Sequence, residues 1–312
     1  MLFSLLALLA ADPTQTAVSI PAEPAPLHGT LLSPEGQARA VAVILPGSGP
    51  TNRDGDSPQF GIAAAPYRLL AEALATDGIA TVRIDKRGIG QSGVDQGAAG
   101  GLDERSLSFD QNAADARAWA AEAATRAGRP CAWLIGHSEG SLVALAAVRQ
   151  ADDRICGVIS LSGAGRPAGA VLREQLGRAP EPVKGEAMHI LDELEVGRTV
   201  SEVSPALAAA FRPSVQPYLI SWMGLDPAAL ARAWIGPLMI VHGTTDIQVP
   251  VADAEALAEA QPNARLLVLD GVNHVLKVAP AEPAANVATY RDAGLPLAPG
   301  LADAVSTFIL AH

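Results

Sequence analysis

This sequence has few charged residues and fewer basic than acidic ones. Charged residues make up 18% of the 312 and hydrophobic residues 49%, which favours a chain with a sizeable core over a disordered one. Lysine and arginine number 22 against 33 acidic residues, the net charge is −11, and no basic run of five or more occurs. This balance argues against nucleic-acid backbones and anionic membrane surfaces as partners. The length allows one large α/β domain with an insertion, or two ordinary domains.

The sequence also lacks an apolar run long enough to cross a bilayer, which takes about 20 residues in a helix. The N-terminal run covers only residues 1–11 and passes into small residues before Asp12, a pattern typical of a short secretory signal, although it contains no Lys or Arg. Residues 12–26 form a Pro-rich leader outside the predicted core. We therefore expect a periplasmic or secreted protein, and a cytoplasmic one if residues 1–11 are not a signal.

Cysteine is scarce, since only Cys131 and Cys156 occur, each near the start of a predicted strand. We expect two buried thiols, because cysteine is commonly an interior residue. The alternative is a disulfide, which requires the two strands to be parallel neighbours in an exported protein.

Short apolar runs of strand character alternate with helix-forming segments along most of the chain. Strands are predicted at 27–32, 40–45, 79–84, 131–135, 155–161, 237–241 and 265–269, and core helices at 66–76, 110–127, 142–148, 252–260 and 299–311. This rhythm, with no polar alternation within the strands, predicts an α/β fold with a mostly parallel sheet covered by helices on both faces. The core then comprises residues 27–165 and 236–312. Helical segments alone fill residues 166–235, which predicts a cap over the carboxyl ends of the strands.

The stretch around Ser138 has the pattern of a nucleophile elbow. A strand-like run meets Gly136-His137-Ser138-Glu139-Gly140, and a helix-forming run of small residues follows. Gly136 and Gly140 would remove collisions of bulky side chains with the neighbouring strand and helix. The helix behind Ser138 would direct the Glu139 N–H at a developing oxyanion. The alternative interpretation is a small-residue turn between a strand and a helix.

A second glycine-rich segment follows the strand at residues 40–45. In hydrolases with such an elbow this loop supplies one N–H of the oxyanion hole, for which Ser48 is our first candidate and Gly47 the second. A plain tight turn over Gly47 to Pro50 is the alternative. The loop at residues 85–92 contains both charges and glycines, so we expect it to pack beneath the site through ion pairs.

A serine nucleophile needs a base and a carboxylate that orients the base. For this fold the chain order is Ser, Asp, His, and Ser138, Asp246 and His274 fit it, each just beyond a predicted strand. Asp253 and Asp270 are fallback acids. Such a triad forms an acyl-enzyme that water releases, and it needs no metal or organic cofactor.

Several segments together resemble the α/β-hydrolase superfamily. They are LPGSGPTNRDG, DKRGIGQS, GHSEGS, FRPSVQPYLISW, HGTTDIQVP and GVNHVLK. More narrowly, they are similar to bacterial carboxylesterases near the serine aminopeptidase branch. The resemblance covers nearly the whole chain after the leader, and it implies a helical cap and activity on short-chain acyl esters. Asn52 replaces an Asp of that group, which implies a mild change in loop hydrogen bonding.

Two other functions remain open at this stage. A peptidase or acyltransferase would use the same triad, and a peptidase for free N-termini would need an acidic anchor in the cap. Candidates for that anchor are Glu186, Asp192, Glu193 and Glu195, unless they form a solvated helix face. A non-catalytic binding protein of this fold would be expected to lack a triad member. The expected ligand is a small-molecule ester, and the oligomeric state stays open, a homodimer included.

Overall fold

In the computed structural model, residues 13–93 and 102–312 are described. Their strands form one eight-stranded sheet. The strands are β1 (Thr14–Ile20), β2 (Leu27–Ser33), β3 (Ala40–Leu45), β4 (Ile79–Ile84), β5 (Ala132–His137), β6 (Ile155–Leu161), β7 (Leu238–Gly243) and β8 (Arg265–Leu269). The spatial order is β1-β2-β4-β3-β5-β6-β7-β8. Strands β1 and β2 pair antiparallel with each other, β2 pairs antiparallel with β4, and all later pairs are parallel.

Helices cover both faces of the sheet. They are α1 (Pro66–Thr76), α2 (Phe109–Ala127), α3 (Glu139–Ala147), α4 (Ala168–Leu176), α5 (Val183–Glu195), α6 (Ala208–Phe211), α7 (Gln216–Met223), α8 (Pro227–Ala233), α9 (Val251–Ala260), α10 (Pro283–Ala288) and α11 (Leu301–Ala311). Helices α2, α3, α8 and α9 contribute to the core on one face, and α1 and α11 to the core on the other. Strands β3 to β7 are therefore buried on both sides, which is why they are continuous apolar runs.

The cap consists of helices α4 to α8, which lie between β6 and β7 in the sequence. It has an apolar core of its own, formed mainly by α5, α6 and α7 and centred on Ile190, Leu191 and Phe211. The predicted strand and core-helix positions agree with the structure to within a few residues at most ends, and helices fill the predicted cap region. Within the described ranges, no helix has the length and apolarity needed to cross a membrane.

Three sequence-based predictions need correction. The leader joins the core from Thr14 onward, because it forms β1, which pairs along β2 and buries Val18 and Ile20. The other side chains of β1 are exposed, so its apolar pattern was too sparse to read as a strand. The helix predicted to begin at residue 110 begins at Phe109, and Ser108 is its N-cap, whose hydroxyl accepts from an N–H of the first turn. The proposed signal at residues 1–11 lies outside the described residues.

The third correction concerns the cysteines. Cys131 and Cys156 form a disulfide, with their Cα atoms 5.3 Å apart. Cys131 precedes β5, and Cys156 is the second residue of β6, the parallel neighbour of β5. The bridge therefore joins the amino ends of two adjacent strands, the arrangement given above as the alternative to free thiols.

Candidate active site

Ser138 lies at the carboxyl end of β5, on the turn into α3. Its backbone has φ 54° and ψ −120°, a conformation that costs free energy in a residue with a side chain and that usually marks a functional turn. The Ser138 N–H donates to the Leu161 carbonyl at the end of β6, which anchors the turn to the neighbouring strand. The sharp bend leaves Ser138 half-buried at the carboxyl edge of the sheet.

At each of the two elbow glycines, the surrounding backbone leaves no room for a Cβ. A Cβ on Gly136 would lie 2.1 Å from the Gly140 carbonyl oxygen, and one on Gly140 would lie 2.3 Å from the Leu45 carbonyl oxygen. Both contacts are with backbone, which cannot move aside. Either substitution would therefore displace α3 from β5 or from the end of β3.

Asp246 and His274 come together from two different loops beyond β7 and β8. The His274 Nδ1 and Asp246 Oδ2 atoms are 2.7 Å apart, and the other Asp246 oxygen accepts from the N–H groups of Gln248 and Val249. Burial acts to raise the pKa of Asp246, but the charge of His274 and these hydrogen bonds outweigh it and hold the pKa below its usual range. Asp246 is thus an anion aimed at the imidazole. Ser138 and His274 do not hydrogen-bond to each other among the described residues.

His137 is buried within the elbow and is occupied by other partners. Its Nε2 lies 2.7 Å from the His274 carbonyl oxygen, which can only accept, so Nε2 carries the proton. Burial, helped by nearby His274, lowers the pKa of His137 to about 3, so the ring is neutral and Nδ1 accepts from the Tyr67 hydroxyl at 2.7 Å. Tyr67 in turn accepts from the Gly47 N–H at 3.0 Å. This chain joins the loop after β3 to the backbone of His274.

The Gly47 contact corrects one expectation. Because its N–H already donates to Tyr67, Gly47 is not a free donor for an oxyanion. The N–H groups of Ser48 and Glu139 make no backbone hydrogen bond in the described part of the chain, and both residues line the same cavity as Ser138. A Cβ on Gly47 would lie 3.3 Å from the Ser138 Cβ, so this loop passes directly against Ser138.

The alternative bases and acids are engaged elsewhere. The His242 Nε2 lies 3.7 Å from Asp246 Oδ2, so its side chain approaches that carboxylate. His242 is nevertheless buried, and this nitrogen donates to the Val249 carbonyl. Asp253 binds Arg166 and the Gly165 N–H. The exposed Asp270 accepts from the Thr244 hydroxyl.

Asn286 is a residue of the site that sequence reasoning missed. Its Nδ2 donates to the Thr245 carbonyl, next to Asp246, at 2.9 Å, and its Oδ1 accepts from Asn273, next to His274, at 3.3 Å. One buried amide therefore holds the acid loop and the base loop together. No local pattern marks Asn286, because its partners are 41 and 13 residues away.

The charged loop after β4 supports the site from below, as expected. Asp85 is buried and accepts from both the backbone N–H and the guanidinium of Arg53. Arg87 pairs with Asp115. Asn52, where the resembled group has Asp, accepts from two backbone N–H groups of its own loop, a role for which an amide oxygen suffices.

Comparison with solved structures identifies the fold. A solved structure of Est1E from Butyrivibrio proteoclasticus with ferulic acid bound matches 94% of this chain and 96% of its own, with TM-score 0.60 and 18% identity. The esterase domain of a Rhodothermus marinus protein matches 88% of this chain and 95% of its own, with TM-score 0.54 and 19% identity. These likenesses show that the chain has the α/β-hydrolase fold.

Sequence comparison gives two further likenesses. The family model described as serine aminopeptidase, S33, matches residues 60–211, just under half of the chain. Esterase EstD of Thermotoga maritima is 24% identical over 267 residues, which cover 80% of this chain and 58% of EstD. The chain thus spans little more than half the length of that relative.

The cavity that Ser138 lines lies between the core and the cap. Its volume is about 610 Å³, which includes solvent space at its mouth. Leu142, Ala164 and Val249 form its apolar lining from the core, and the cap adds the apolar side chains of Ala168, Val171, Leu172, Trp222 and Pro227. Polar groups reach it from Arg166, Gln175 and Gln248. The Arg166 guanidinium is already paired with Asp253 and Glu174.

The four cap carboxylates lie away from this cavity. Asp192 and Glu195 pair with Arg173, Glu193 pairs with Arg198, and Glu186 accepts from the Ser204 N–H. None of the four lines the cavity as described. Across residues 13–93 and 102–312, no cluster of three or more His, Cys, Asp or Glu is placed to hold a metal ion.

Proposed function

We propose that this chain is a serine hydrolase of carboxylic esters, with Ser138 as nucleophile, His274 as base and Asp246 as the orienting acid. The observation that carries the proposal is the 2.7 Å contact of His274 Nδ1 with Asp246 Oδ2, opposite a serine held on a strained strand-to-helix turn. The esterases among the relatives support the ester class.

The mechanism follows from what each atom can do. The Asp246 carboxylate accepts the Nδ1–H of His274, which leaves Nε2 as the lone-pair nitrogen that takes the Ser138 proton. Ser138 Oγ attacks the ester carbonyl, and the N–H groups of Ser48 and Glu139 stabilise the oxyanion. The imidazolium returns the proton to the leaving alcohol. Water then attacks the acyl-enzyme with the same base, and a carboxylic acid leaves.

The first of these steps requires a hydrogen bond between Ser138 and His274. Ser138 and His274 do not make it among the described residues. In ligand-free hydrolases such contacts are often long and tighten when substrate binds. No hydrogen bond within the described residues holds the Ser138 hydroxyl elsewhere.

An ester substrate suits the cavity better than a free N-terminus. An aminopeptidase needs an anion for the substrate ammonium, and the four cap carboxylates are paired outside the cavity. Arg166 is neutralised by two carboxylates, so within residues 13–93 and 102–312 the cavity offers no unpaired cation to an acidic acyl group either. We therefore propose neutral, short-chain acyl esters, whose apolar part packs on Leu142, Ala164 and Val249.

We also propose that the protein works in the periplasm or outside the cell. The disulfide supports this location, because such bonds persist in oxidising compartments. Fractionation of cells that express the full chain, with a cytoplasmic marker enzyme as control, tests the location. Recovery with the marker would contradict it.

The activity is tested with p-nitrophenyl esters from acetate to palmitate and with a panel of aminoacyl p-nitroanilides. Ser138→Ala is compared with Ser201→Ala, the same change at an exposed serine of the cap. We expect short-chain ester turnover that survives Ser201→Ala and disappears in Ser138→Ala. Faster anilide turnover would indicate a peptidase. Ester turnover that survives Ser138→Ala would refute the mechanism.

A further inference from the structure

Lys86 lies beneath the loop after β3, which contains Gly47 and Ser48. It belongs neither to the proposed triad nor to the residues that line the cavity. It is the second residue after β4, and its side chain is 18% exposed. Its Nζ donates to the Gly47 carbonyl oxygen at 2.6 Å. Gly47 is therefore held at both ends, since its N–H donates to Tyr67.

The Gly47 carbonyl belongs to the same peptide unit as the Ser48 N–H. This peptide is trans, so its C=O and N–H point in opposite directions. With the oxygen fixed on Lys86, the Ser48 N–H is directed to the other side of the loop, and the loop lies against Ser138 on its cavity side. A cation on the carbonyl also polarises the peptide and strengthens its N–H as a donor.

Lys86 also pairs with the side chain of the residue that carries the second proposed oxyanion donor. Its Nζ lies 3.8 Å from Glu139 Oε1, and the backbone N–H of Glu139 is the donor that follows the nucleophile. From the cap, the Tyr218 hydroxyl donates to the same Oε1 atom at 2.8 Å. Burial lowers the pKa of Lys86, and the Glu139 carboxylate acts against that shift. The ion pair thus favours the ammonium form at the Gly47 carbonyl.

We propose that Lys86 is a positioning residue for the oxyanion hole, which sets the direction and strength of the Ser48 N–H through the Gly47 carbonyl. The inference rests on the proposed function and adds to it a residue that touches no substrate atom. Its contribution belongs to the transition state, because the oxyanion exists there and not in the bound ester.

The test is Lys86→Met, which keeps the length of the side chain and removes the ammonium. The control is Lys184→Met, the same change at an exposed residue of the cap. Losing a whole oxyanion donor costs about 100- to 1000-fold in kcat, so a misdirected one should cost about 10- to 100-fold. KM should change less than about threefold, because ground-state binding does not use this donor.

A trifluoromethyl ketone, which forms a tetrahedral oxyanion adduct with the serine, gives an independent readout. Its inhibition constant should rise in Lys86→Met by the factor by which kcat/KM falls. A general loss of packing would instead raise KM or lower the folded fraction. An unchanged inhibition constant, or a kcat within about threefold of wild type, overturns the proposal.

A second variant covers the case in which Lys86→Met fails to fold because Glu139 is left buried without its cation. Lys86→Met with Glu139→Gln leaves no unpaired charge, and we expect it to fold and to remain slow. Recovery of wild-type kcat in this pair would mean that Lys86 only neutralises Glu139, and would overturn the proposal. A wild type without ester turnover refutes the proposed function first, whereas an active wild type with an equally active Lys86→Met refutes this inference alone.

Discussion

Removing the Cys131–Cys156 disulfide should lower stability and leave catalysis intact. The bond closes a loop with a sequence separation of 25 residues, which contains β5, Ser138 and α3. In the chain-entropy account, a loop of that length loses enough freedom in the unfolded state to stabilise the fold by about 3.5 kcal/mol. The unfolding entropy of a chain of this size is about 0.65 kcal/mol per kelvin, so the expected drop in Tm is about 5 °C.

The assay compares the wild type with Cys131→Ala, Cys156→Ala and the double variant by calorimetry and urea unfolding. Each single change already opens the loop, so the two losses should not add, and the double variant should resemble wild type reduced with a thiol. Titration of free thiols in denaturant verifies that the wild type has none and that the reduced protein has two.

Activity distinguishes this effect from damage to the site. The bridge joins the amino ends of β5 and β6, whereas Ser138 follows the carboxyl end of β5, about 20 Å away for a six-residue strand. Ester turnover at 20–25 °C should therefore match wild type in all three variants. A Tm unchanged on reduction, or a kcat that falls with the disulfide, would refute the reasoning.

Three further predictions concern the loops around the triad. Asp246→Asn should reduce kcat by about 10³- to 10⁴-fold with the fold intact, because the amide no longer favours the correct His274 tautomer. Steady-state ester hydrolysis measures this loss, and a loss below about tenfold would exclude Asp246 as the acid. The pKa of Asp246 is held below its usual value, so its stabilisation is present above about pH 4 and is lost as the pH falls through the lower folded-state pKa. The stability advantage of wild type over Asp246→Asn in urea should then shrink only in acid, and a constant difference from pH 3 to 7 would contradict this. Tyr67→Phe should lower the free energy of unfolding by about 1–3 kcal/mol, because the buried Gly47 N–H loses its acceptor and His137 loses its donor. An unchanged urea midpoint would disprove the role of that hydroxyl.

Much of the fold and the candidate site was predictable from local sequence. Strands β3, β4 and β6 have the predicted bounds, because a strand buried on both faces is a continuous apolar run, ended here by proline or a polar residue. Strand β8 also has the predicted bounds, although it is a partly exposed edge strand. The elbow was predictable because a Cβ on Gly136 would collide with the helix that follows it in the chain, and a Cβ on Gly140 would collide with the end of the adjoining strand.

Chain order within the resembled fold was enough to select Asp246 and His274, although their contact spans 28 residues. Strand β1 could not be predicted, because it is an edge strand with only two buried side chains and its stability depends on pairing with β2.

The sequence by itself determined the strand and helix pattern, the position of the cap and the identities of the triad candidates, because each depends on neighbours in the chain or on the order of strand ends. Only the tertiary structure decided which groups meet across the sheet. The disulfide needed β5 and β6 side by side, and the engagement of Gly47 by Tyr67 needed α1 against the loop after β3. The hold of Lys86 on the Gly47 carbonyl joins residues 39 apart, and hydrogen bonds over such separations leave no local pattern in the chain.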